Sequence, residues 1–90
     1  MKILAVCGMG LGTGLLLRMQ AEKALKELGI DADLEVADMG TARALASSAD
    51  LILTSRELAE QLGQVKPKIV TIDNFIDLRE MVTKLRAAME

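Results

Sequence analysis

Four short apolar runs punctuate this chain, and a stretch with helical spacing follows each of them. The runs are "KILAVC" at 2–7, "ADLEVADM" at 32–39, "ADLILT" at 49–54 and "KIVTI" at 68–72. The first and third are nearly continuous, as expected of strands covered on both faces, whereas the second alternates. After the first run, Leu17, Ala21, Ala24, Leu25 and Leu28 recur every three or four residues, with Arg18, Glu22, Lys26 and Glu27 opposite them. That spacing predicts an amphipathic helix from Leu15 to Leu28, closed by Gly29 as a left-handed cap with Ile30 packing back. Thr41 is placed to cap a short helix through Ala46. Thr54 and Glu57 have capping-box spacing for a third helix that stops at Gly63. Beyond the Pro67 turn, Asp73 or Asn74 is placed to cap a last helix, whose stripe is Leu78, Met81, Val82, Leu85, Ala88 and Met89.

Strand and helix alternating four times predict an α/β fold, a parallel sheet with helices on both faces. The natural small version is one three-layer α/β/α domain over residues 1–90 with strand order 2-1-3-4. Ninety residues support one core and no more. In that order the winding reverses between strands 1 and 3, and ligands bind beyond the carboxyl ends of the strands at such a point. Cys7 stands there, as the last residue of strand 1.

Composition narrows what the site can do. The chain has no histidine and a single cysteine, which removes Ser-His-Asp and Cys-His catalysis and His-rich zinc sites. No metal is expected. Cys7 is left as the one strong side-chain nucleophile. Eleven basic and 13 acidic residues, with no long run of one sign, point away from nucleic acid and from a polybasic membrane anchor. A lone cysteine forms no internal disulfide, and the apolar start is too short for a signal peptide or a membrane span, so a cytoplasmic location is expected.

The loop after Cys7 is the most informative stretch. Gly8, Gly10, Gly12 and Gly14 fall at alternate positions, so the backbone from Gly8 through Met9, Gly10, Leu11, Gly12 and Thr13 to Gly14 is free to turn its amides inward as an anion-binding nest. A helix beginning near Thr13 or Gly14 adds unpaired amides and its positive dipole end, and the Thr13 hydroxyl is a further donor. The same field is expected to lower the thiol pKa. Nucleophile and phosphate cradle then coincide, the arrangement needed for a cysteine that accepts a phosphoryl group and holds it.

Rival motifs fit less well. A P-loop needs Lys then Ser or Thr where residues 12–16 read "GTGLL", and a dinucleotide fingerprint needs glycine where Thr13 stands, although Glu35 and Asp38 lie at a plausible ribose distance. A small cysteine phosphatase has arginine after five loop residues, and Thr13 occupies that place. Without a bidentate guanidinium to stabilise hydrolysis, the loop favours storing phosphate. A non-enzymatic nucleotide- or anion-binding module remains the other alternative. Met9 and Leu11 either plug the sheet end or form an apolar rim for protein docking. Arg18 reads as a solvated surface charge. Asp38, Thr54, Ser55, Asp73 and Asn74 sit at strand ends on the same rim as Cys7 and read mostly as helix caps.

At "ILAVCGMGLGTG" joined to "LLLRMQ", and over its whole length, the sequence resembles the IIB components of the bacterial sugar phosphotransferase system, of the galactitol and ascorbate type. The family loop, Cys-Gly-x-Gly-x-Gly-Ser/Thr-Ser, matches Cys7, Gly8, Gly10, Gly12 and Thr13 and departs at Gly14, where serine is usual. The resemblance implies a sheet and phosphate loop like those of low-molecular-weight tyrosine phosphatases. It implies a cytoplasmic carrier without a resident cofactor, whose transient phosphocysteine at Cys7 is charged by the phosphohistidine of a IIA protein. The phosphate then passes to a sugar, ascorbate-like by the look of the loop, held by a membrane IIC protein. Gly14 removes one hydroxyl contact and keeps an amide.

Overall fold

Strand β1 (Lys2–Val6) runs through the middle of the molecule because nearly every residue in it is apolar and both of its neighbours are strands. The computed structural model describes residues 1–7 and 11–89, with the backbone alone at 11–14. Its elements follow in strict alternation: α1 (Leu11–Leu28), β2 (Asp33–Ala37), α2 (Met39–Leu45) with a short 3-10 turn, β3 (Leu51–Thr54), α3 (Arg56–Leu62), β4 (Lys68–Thr71) and α4 (Leu78–Met89). The four strands are parallel in the order β2-β1-β3-β4, as the alternation predicts.

Side chains of β1 divide between two cores because successive residues of a strand point to opposite faces. Ile3, Ala5 and Cys7 pack with Leu17, Ala21 and Leu25 of α1 and Met81, Val82 and Leu85 of α4. Leu4 and Val6 point the other way, toward Ala42 of α2, Ala46 and Leu62 of α3. The thiol therefore belongs to the α1/α4 layer. The predicted stripe of α4 lies against this core along its whole length.

Local signals account for several boundaries. Gly29 takes φ +71°, its amide donates to the Lys26 carbonyl at 3.1 Å, and the Ile30 amide reaches the Leu25 carbonyl at 2.9 Å. These paired bonds satisfy the last carbonyls of α1 and put Ile30 onto its core, as its position after a capping glycine predicts. Gly63 ends α3 with φ +67°.

The starts of all four helices differ from the sequence expectation, and each shift has a physical reason. Helix α1 begins at Leu11, so Gly12, Thr13 and Gly14 form its first turn in place of a loop. A helical glycine costs about 1 kcal/mol, which the long apolar stripe of α1 offsets. Asp38, not Thr41, caps α2: pairing of Val6 with Ala37 ends β2 there, and the Asp38 carboxylate accepts from the Thr41 amide at 2.7 Å. Ser55, not Thr54, caps α3 by accepting from the Leu58 amide, because Thr54 stays in the sheet opposite Thr71. Helix α4 starts at Leu78 behind Asp77, whose carboxylate accepts from the Glu80 amide at 3.2 Å. Asp73 and Asn74 instead donate their backbone amides to the Glu80 carboxylate, at 2.8 and 3.0 Å, and the Asn74 side chain accepts from the Ile76 amide.

Candidate active site

Cys7 follows the last residue of β1, at the carboxyl edge of the sheet where the chain leaves the central strand toward α1. Only 8% of the residue is exposed, so the sulfur sits at the lip of the core and not on an open surface. Its backbone amide donates to the Ala37 carbonyl of β2 at 3.2 Å. On the opposite side the buried hydroxyl of Thr54 donates to the Val6 carbonyl at 2.7 Å.

Helix α1 starts four residues beyond the thiol. As in any helix, its first-turn amides, from Leu11, Gly12 and Thr13, make no bond within the helix, and they carry the positive end of an 18-residue dipole. The expected donors at Leu11, Gly12, Thr13 and Gly14 are thus helical backbone, while the Thr13 hydroxyl lies outside the described atoms. Gly8, Met9 and Gly10 lie outside the described residues, and with them the central part of the expected nest and the choice between plug and rim for Met9.

The electrostatics of Cys7 run against the sequence expectation. Burial at the strand end pushes the thiol up from its ordinary value, and the neighbouring Asp38 carboxylate raises it further. Asp38 is itself held below the usual carboxylate range by the hydrogen bond from the Thr41 amide, so it stays charged at neutral pH. The spacing of glycines in the sequence signals a positive helix end. It carries no information about the carboxylate that β2 brings alongside.

The remaining rim residues separate into distinct roles. Asp38 and Ser55 are helix caps, as their residue types predict. Asp73 pairs with Arg56 at 3.2 Å and Lys84 at 3.7 Å. Arg18 pairs with Glu22 one turn along the exposed face of α1, at 2.9 Å, which matches the reading of a solvated surface charge. Leu15, Met19 and Ile76 are exposed apolar side chains. Leu16, Phe75 and Ile76 line one shallow depression with Ser55 and Asn74. Leu15, Leu16 and Met19 belong to α1, and Phe75 and Ile76 to the β4–α4 connection, which leaves the sheet at its carboxyl end. Among the described residues no helix is long and apolar enough to cross a membrane.

Fold and site together define a class: a small parallel α/β domain that presents one nearly buried thiol at the switch point of its sheet, just ahead of a long helix. The family model described as the lactose/cellobiose-specific IIB subunit of the PTS system matches residues 2–87, and the chain belongs to that IIB family of the sugar phosphotransferase system. It is 38% identical over 82 residues to the ascorbate-specific PTS system EIIB component of Mycoplasma pneumoniae, covering 90% of this chain and 86% of that one. The ascorbate-specific EIIB component of Shigella sonnei is 29% identical over 85 residues, covering 93% and 84%. Among solved structures, the lactose-specific IIB component domain from Streptococcus pneumoniae aligns with a TM-score of 0.62 over 99% of this chain and 94% of that one. At 19% identity that likeness shows the common fold. As a IIB component the protein is a phosphotransferase of sugar transport, serving in the relay that delivers phosphate to sugar.

Proposed function

We propose that Cys7 is the residue that carries the phosphoryl group, charged by the phosphohistidine of a IIA protein and discharged to an ascorbate-like sugar presented by a membrane IIC protein on its cytoplasmic side. The observation that carries this reading is the position of the one thiol, at the carboxyl end of β1 with the first turn of α1 four residues on. In the first step the Cys7 sulfur attacks phosphorus, the P–N bond breaks, and its electron pair returns to the imidazole of the donor. In the second a sugar hydroxyl attacks, the S–P bond breaks with its pair returning to sulfur, and the hydroxyl proton leaves to solvent or to the released thiolate. The amides of Leu11, Gly12 and Thr13 with those of Gly8, Met9, Gly10 and Gly14 offset the charge on the phosphoryl oxygens. No resident cofactor takes part.

Because burial and Asp38 hold the thiol neutral, its proton has to leave to solvent or to the departing imidazole as the donor docks. Leu15, Met19 and Ile76 are exposed apolar side chains available for that docking. The ascorbate preference rests on the identity to ascorbate-specific EIIB components. Incubation with a phosphorylated IIA protein, followed by intact mass measurement, tests the acceptor: the wild type gains one phosphoryl group and Cys7→Ser gains none. An unmodified wild-type mass under conditions that charge a known IIB protein would falsify the assignment. Transfer from the charged protein to ascorbate, against lactose and cellobiose, in vesicles bearing a matching IIC protein tests the sugar.

A further inference from the structure

Strand β3 is apolar through Leu51, Ile52 and Leu53 and ends in a threonine that is fully buried. A hydroxyl in that place needs a partner, since an unpaired buried polar group costs about 1–3 kcal/mol. The partner is the carbonyl of Val6, 2.7 Å away and 48 residues distant in sequence. The register makes this bond unusual. Ile3, Leu4 and Ala5 pair with Leu51, Ile52 and Leu53, and the ladder between β1 and β3 stops there. The next pairing along would set Val6 opposite Thr54, at the point where the two strands part. The side chain of Thr54 supplies the bond that the backbone no longer makes, while its own carbonyl accepts from the Ile72 amide at 2.8 Å.

The amide on the other end of the same peptide unit is the one that Cys7 donates to Ala37, at 3.2 Å. One peptide plane, from the Val6 carbonyl to the Cys7 amide, is therefore held from both sides, by β3 through a side chain and by β2 through the backbone. Its orientation sets the direction of the Cys7 Cα–Cβ bond and the line on which the chain departs toward α1. We propose that Thr54 is a positioning residue for phosphoryl transfer, its hydroxyl locking the Val6–Cys7 peptide so that the sulfur faces the incoming phosphorus. This rests on the reading of Cys7 as the phosphoryl acceptor. Packing alone does not require the hydroxyl, because valine has the same shape.

The test compares Thr54→Val, which keeps shape and removes the donor, with Thr54→Ser, which keeps the donor. Under saturating phosphorylated IIA protein, the charging rate of Thr54→Val is expected to fall about tenfold or more, the scale of loss from small misplacements of a reacting group. The concentration of donor giving half the maximal rate stays at the wild-type value, and Thr54→Ser recovers most of the rate. Alkylation of Cys7 by iodoacetamide is the second readout and needs no donor protein: the thiol of Thr54→Val reacts faster than in the wild type or Thr54→Ser, because a freed peptide lets the sulfur reach solvent. Wild-type charging by Thr54→Val, or equal slowness in both variants, overturns the proposal. If Thr54→Val does not fold by circular dichroism, Thr54→Ala replaces it in the same comparison. If the wild type itself takes no phosphate, the acceptor reading falls, and the alkylation rates alone decide whether Thr54 holds Cys7.

Discussion

At the residue scale, Cys7 is governed by two neighbours that its own sequence context does not contain. Thr54 reaches the preceding Val6 carbonyl from β3, and the Asp38 carboxylate acts on the thiol from the end of β2. Removing the Asp38 charge should leave burial as the main influence raising the thiol. Asn caps a helix about as well as Asp, so Asp38→Asn keeps α2 in place. A raised pKa means that the thiolate fraction, and with it the rate of alkylation, climbs only at alkaline pH. The wild-type pH profile is expected to have its midpoint above that of free cysteine, about 8.5, and the Asp38→Asn profile to move to lower pH. Coincident profiles would remove Asp38 from the account. The sequence does point to Cys7 as the candidate nucleophile, since no histidine competes and glycines follow it. The protonation of that nucleophile is invisible there, because desolvation and a carboxylate on another strand set it.

At the element scale, the helix starts were legible to within about one turn and the caps assigned to the wrong side chain in three cases. Asp38 displaces Thr41, Ser55 displaces Thr54, and Asp77 displaces Asp73 or Asn74. Each displacement turns on a bond made elsewhere. Ladder pairing ends β2 and keeps Thr54 in β3, and Glu80 takes up the amides of Asp73 and Asn74. Burial pushes the Glu80 carboxyl up, yet Lys84 and the two amides outweigh it and leave the group below its ordinary value. A carboxylate stabilised in the folded state contributes at neutral pH, and its contribution fades as pH falls through the ordinary glutamate range to the lowered value. Glu80→Ala is therefore expected to lose about 1.5–3 kcal/mol, the scale for hydrogen bonds to a charged group, in urea unfolding at pH 7. The difference from wild type should shrink in acid. A constant difference across that range would mean that Glu80 acts by packing.

At the scale of the whole molecule, two cores share one sheet, and they bear differently on the site. Leu53 lies in the layer that contains Cys7, and Leu4 lies in the other. Truncating either to alanine should cost about 2–5 kcal/mol, as for fully buried leucines generally. Leu53→Ala is expected to change the alkylation rate of Cys7 as well, whereas Leu4→Ala leaves it close to wild type at equal fraction folded. Equal effects on the thiol would show that the layers are mechanically joined through β1. Hydrophobic periodicity determined the strand and helix count, because burial patterns repeat locally along the chain, and the alternation with right-handed crossovers pointed to the order β2-β1-β3-β4 and to Cys7 at its switch point. The positive φ of Gly29 and Gly63 was equally local. Tertiary structure alone decided where each strand stops pairing, that Thr54 rather than a helix cap completes β3, and that Asp38 comes beside the thiol. Those outcomes depend on which residues distant in sequence arrive at the same edge of the sheet, and no window along the chain contains both partners.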